Sequence, residues 1–97
     1  MSYRKLPLVD RKALSYLHKS EDIDVYTEYV LGEIDYKYTN NAANDTFMVV
    51  EGSIELMIDE QAVQFIKGDV IEVEVGTPHG PISSKDGAIL LVIHRRK

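Results

Sequence analysis

Cysteine is missing from this 97-residue chain, which excludes a disulfide framework, a thiolate metal site and a thiol nucleophile. Long hydrophobic runs are missing too: none approaches the roughly 18 residues that cross a bilayer as a helix. The opening MSYRKLPLVD lacks the apolar stretch of a secretion signal. The expectation from these absences is a cytoplasmic protein with no membrane partner. Cations are scarce, with 11 Lys and Arg against 16 Asp and Glu and a formal net charge of −5. Nucleic acid is therefore not an expected partner, because binding it takes clustered cations that displace counterions from phosphates. The single basic cluster, Arg95-Arg96-Lys97, reads as a solubilising tail. Nucleophile signatures, phosphate-cradling glycine loops, heptads, internal repeats and linkers are all lacking.

What is present is short and evenly punctuated. Four apolar-rich runs, Phe47–Val50, Ile54–Ile58, Ala62–Ile66 and Val70–Val75, are separated by Glu51-Gly52-Ser53, Asp59-Glu60-Gln61 and Lys67-Gly68-Asp69. Ile54, Leu56 and Ile58 share one parity, as do Val63 and Phe65, and then Ile71, Val73 and Val75. Side chains of a strand alternate between faces, so such sets predict strands with one buried face, and their spacing predicts an antiparallel sandwich or barrel. Glu72 and Glu74 fall on the other parity and point away from the core. Ile23–Ile34 reads as a long strand, or two joined by a bend, with a bulge or turn at Gly32, Tyr36-Lys37-Tyr38 continues as strand, and residues 39–44 form an Asn-rich loop. Ser83–Gly87 reads as a polar turn before a closing strand, Ala88–His94, that is apolar on both parities. Such a strand is covered on both faces, which predicts a homodimer through a sheet face. Ahead of these, Asp10 can cap a short helical turn over Arg11–His18, where Leu14, Leu17 and His18 fall at helical spacing. The expected organisation is one domain over 1–97, its core at about 23–94, with 1–22 an N-terminal arm or short helix.

The run Asp45-Thr46-Phe47-Met48-Val49-Val50-Glu51-Gly52, followed by Ser53–Ile58, resembles the first conserved motif of the cupin superfamily. Gly68-Asp69 and then Gly76-Thr77-Pro78-His79 resemble the second, with Glu74 where proline is usual. The resemblance spans about residues 31–93 and implies an all-β fold, the double-stranded β-helix or jelly-roll barrel of a small single-domain cupin. It also implies a metal site at the barrel mouth, built in the family from two histidines spaced one apart, a glutamate and the second-motif histidine. Those positions fall here on Tyr38 and Asn40, or on Thr39 and Asn41 in the alternative register, then on Asp45 and on His79. Three of the four depart from the family's residues. A first-row ion held tightly takes three or four imidazole or carboxylate donors. Tyrosine is a poor ligand while protonated, and an asparagine carbonyl is a weak one.

The functional expectation is a cupin that binds a small polar ligand, such as a sugar or small acid, in a mouth lined by Tyr38, Asn40, Asp45, Phe47 and His79. It has little or no metal, no other cofactor and no catalytic residues. Two alternatives stay open: a metal-dependent isomerase or dioxygenase using His79 and Asp45 in an atypical ligand set, and a vestigial pocket on a protein whose job is subunit association. His18 reads as a surface or helix-end histidine, and His94 as a core-edge or interface residue.

Overall fold

The computed structural model describes residues 2–5 and 14–97. Seven strands make up its regular structure: β1 (Leu14–Lys19), β2 (Ile23–Ile34), β3 (Asp45–Glu51), β4 (Ser53–Ile58), β5 (Gln61–Ile66), β6 (Val70–Val73) and β7 (His79–Arg95). All pairings are antiparallel. They follow the order β1-β2-β7-β3-β6, while β4 pairs with both β5 and β7. The long β7 therefore belongs to both halves of the barrel: its end lies between β2 and β3, and its beginning against β4 and the last residues of β2. This is an all-β antiparallel jelly-roll.

The alternation in the sequence sets the core. Phe47 and Val49 from β3, Ile54 and Leu56 from β4, Ile71 and Val73 from β6, and Val30, Ala88 and Leu90 form one buried apolar cluster. Each fully enclosed aliphatic side chain, such as Val49 or Val30, contributes roughly 1.5–3 kcal/mol relative to an exposed one. Glu72 and Glu74 are exposed, as their parity required. Asp59 and Glu60 both have positive φ (49° and 67°), the backbone of a two-residue hairpin turn that follows the right-handed twist of β4 and β5.

Four expectations change. The helical turn does not form over residues 14–18, which are strand instead: Leu14 pairs with Glu28, and Tyr16 with Tyr26 at a ring-centroid distance of 5.4 Å. So short a helix would be marginal, whereas the edge of β2 supplies pairing partners for every residue of β1 but Leu17, which sits at a bulge. Its Asp10 cap lies outside the described residues. The Ser83–Gly87 turn is absent because β7 runs through it: Ser84 pairs with Gly32 and Ala88 with Val30, and the surplus residues are taken up in a bulge opposite Leu31. Tyr36-Lys37-Tyr38 is not a strand, and only Tyr38 forms a bridge, to His79. The run from Val70 ends as strand at Val73, where Thr77 N–H bonds back to the Glu74 carbonyl to turn the chain.

Candidate functional site

One end of the barrel opens into a cavity of about 370 Å³. Its floor is apolar, made by Phe47, Leu56, Leu90 and Val92, while its rim and walls carry tyrosines, acids and histidines. On β2 the residues facing it are Asp24, Tyr26 and Glu28, the polar parity of that strand.

Asp45 is the hub of the polar wall. It is 4% exposed, and its Oδ1 accepts from Asn40 Nδ2 at 2.8 Å and from His94 Nδ1 at 3.0 Å. Its Oδ2 lies 3.6 Å from His79 Nε2. Across the His79 ring, Nδ1 donates to the Thr77 carbonyl at 3.0 Å. Both nitrogens of His79 thus face acceptors, which favours the imidazolium: its pKa is raised by the Asp45 carboxylate, with burial opposing and Thr77 assisting. Burial alone would raise Asp45, but hydrogen bonds from His79 and Asn40 and the nearby His94 outweigh it and hold the carboxyl below its ordinary range. His94 donates from Nδ1 to Asp45, and with that tautomer its Nε2 faces the Tyr38 hydroxyl at 3.5 Å. The Tyr38 hydroxyl is pushed up by burial and then by Asp45 and Tyr36, so it stays protonated.

The turn chemistry around residues 39–44 decides the register left open by the sequence. Asn40 points inward and is 5% exposed, whereas Asn41 is exposed. Asn40 Oδ1 accepts from Ala42 N and Ala43 N at 2.9 and 3.2 Å, and its Nδ2 donates to the Arg95 carbonyl as well as to Asp45. Every donor and acceptor of that amide is engaged. Asn40 therefore holds Asp45 from behind and does not line the cavity; Tyr38, Asp45, Phe47 and His79 do.

Sequence reasoning passed over several wall residues. His94 is one: it shares a parity with the buried Leu90, and that parity carried the available signal. Glu28 and Tyr26 are others; burial raises both pKa values, with Glu28 itself the next cause for Tyr26. Arg96 is no free tail residue, since it pairs with Asp24 and donates to the Ser20 carbonyl at 2.7 Å. His18 is exposed, on strand β1.

The donor set does not fit the ion that the family resemblance implies. Asn40 has no free lone pair, Tyr38 is a neutral phenol, and His94 turns its Nδ1 to Asp45 and its Nε2 to the Tyr38 hydroxyl. Among the described residues no three His, Cys, Asp or Glu side chains are grouped to hold a metal ion.

An antiparallel jelly-roll open at one end, with the first residue of its last strand, His79, at the mouth, defines the class: a small-barrel protein of cupin type. The cupin domain family model matches residues 26–94, and the chain belongs to that family. No curated protein matches the sequence. Solved structures share the fold at low identity. A cupin superfamily protein from Desulfitobacterium hafniense is 16% identical, with a TM-score of 0.81 over 100% of this chain and 94% of that one. A conserved protein of unknown function from Streptococcus pyogenes is 15% identical, with a TM-score of 0.79 over 100% and 90%. An RmlC-like cupin from Methanocaldococcus jannaschii is 12% identical, with a TM-score of 0.77 over 98% and 90%.

Proposed function

We propose that this cupin binds a small polar molecule in the barrel cavity and does so without a resident metal. The observation that carries the reading is a cavity of about 370 Å³ with an apolar floor and a polar wall around Asp45, His79 and Tyr38. Small-molecule sites pair a hydrophobic lining with a few placed polar groups, and volumes from about 300 Å³ upward are typical. The metal-free reading follows from the donors: those that would ligate an ion are already bonded to one another.

A thermal-shift screen of sugars, small organic acids and small amines tests it. A ligand at about ten times its Kd adds about 1.4 kcal/mol to folding, a rise of about 6–10 °C for a domain of this size. The shift is expected to vanish in His79→Ala. No shift with any compound, or a shift indifferent to that substitution, overturns the binding site. Near-stoichiometric iron, manganese, nickel or zinc in protein purified without a histidine tag overturns the metal-free reading.

The homodimer expected from the closing strand is also a proposal. Its support is the outer face of β3, β6 and β7, where Met48, Leu91, Ile93 and the 65% exposed Val70 line a shallow apolar depression. Light scattering at micromolar concentration is expected to give twice the chain mass, and Leu91→Lys to give the monomer. A monomeric wild type removes the idea.

A further inference from the structure

The inward-facing charges of the cavity do not balance. Arg96 is engaged by acceptors through two of its guanidinium nitrogens: Nη2 pairs with Asp24 Oδ2, and Nη1 donates to the Ser20 and Glu21 carbonyls at 2.7 and 3.4 Å. His79 lies between Thr77 O and Asp45. Each cation in the wall is thus already neutralised by a group beside it. One acid is not so matched. Asp24 is taken by Arg96, and its second oxygen, Oδ1, is buried with no hydrogen-bond partner. Glu28, on the same face of β2, has no cationic partner among the described residues. Between these acids stands Tyr26, whose hydroxyl is pushed up by burial first and then by Glu28, Tyr16, Asp45 and Asp24. Negative potential therefore converges on that wall.

Aromatic rings complete the setting. Tyr16 and Tyr26 form a tilted pair at 5.4 Å between centroids, and Tyr36 stacks on Tyr38 at 6.4 Å; all four line the cavity. Ring faces attract cations, more strongly where water is excluded. Lys19 Nζ already sits 4.8 Å from the Tyr16 ring centroid, so one of these rings takes a cation within the protein itself.

We infer that the occupant is a small organic cation, its ammonium group held by Glu28 and its alkyl part packed against the tyrosine rings. This deepens the binding reading and rests on it. An anionic ligand would meet cations that are already paired and carboxylates that repel it. A cation supplies what the wall lacks, and the desolvation that a lone buried carboxylate suffers is offset by its charge.

The test uses three probes that share a four-carbon chain and differ in head group: butylammonium, butan-1-ol and butyrate, titrated near neutral pH by calorimetry or ligand-detected NMR. Butylammonium is expected to bind about tenfold more tightly than butan-1-ol, with butyrate weakest. Glu28→Gln is expected to erase most of that preference, with an unfolding temperature no lower than the wild type's because it removes a desolvated charge. Equal or tighter binding of butan-1-ol or butyrate overturns the inference, as does a preference unchanged in Glu28→Gln. The wild-type ranking decides the charge preference even if the variant folds poorly. Binding of butyrate or of a sugar without butylammonium sinks the cation and leaves the binding site standing. Silence from every probe sinks both.

Discussion

Gly80→Ala is expected to destabilise the protein by about 4 kcal/mol and to disorder the cavity mouth. Gly80 has φ +103°, in the region that L side chains rarely adopt, and an added Cβ would overlap the Tyr36 carbonyl oxygen while meeting Tyr36 C at 3.0 Å and Lys37 Cα at 3.1 Å. The neighbours that would have to move are backbone. That backbone leads into Tyr38, tied to His79 by reciprocal N–H to carbonyl bonds of 2.8 and 2.9 Å. Strain of this kind costs about 1–3 kcal/mol and overpacking about as much again. Against a typical stability of about 5–15 kcal/mol, the unfolding temperature should fall by about 15–30 °C. Gly32→Ala is the control: its φ is +71°, with nothing within 4 Å of the added Cβ, so it carries backbone strain alone. Thermal unfolding followed by circular dichroism compares the two. Equal losses would mean that the close approach of the Tyr36–Tyr38 segment is not what Gly80 secures.

Asp45→Ala is expected to cost about 3 kcal/mol, because it leaves the Asn40 amide and two imidazoles in a buried site without their common acceptor. The loss should depend on pH. His79 is raised above 6.5 in the folded state, so its pairing contributes fully below that value and fades as pH rises through the folded pKa. Asp45 is lowered below 3.8, so its contribution is present above that value and fades as pH falls through the folded pKa. The gap between wild type and variant is therefore largest between about pH 4 and 6.5 and narrows on either side. In the variant, the His79 titration seen by NMR should return to the ordinary histidine range or below. A His79 titration unmoved by the substitution would remove the pair from the account of the site. Glu28 acts in the opposite sense: burial raises its carboxyl above 4.5, so it is best tolerated at low pH and weakens the fold as it ionises.

Much of the barrel was legible because alternation is a local signal. Ile54, Leu56 and Ile58 state their own inward face, and Asp59-Glu60 states the turn that pairs β4 with β5. The motif residues Asp45, Phe47 and His79 were placed by resemblance, and the structure brings all three to the cavity. The register around Asn40 was not legible. It depends on which side chain closes back on Ala42 N and Ala43 N, and Thr39, Asn40 and Asn41 could each form such a turn.

The sequence by itself determined an all-β chain and the inward parity of its middle strands, because each follows from periodicity within a few residues, and its resemblance to the cupin motifs placed the acid and histidine at the mouth. Only the tertiary structure decided that β1 is a strand, that β7 runs unbroken past Ser83–Gly87, and that Glu28, Tyr26, His94 and the Asp24–Arg96 pair share one cavity. Those residues come from strands far apart in the chain. Alternation reveals that a polar face exists and does not say whether it meets bulk water or an enclosed space; the closure of β2 against β7 decides that.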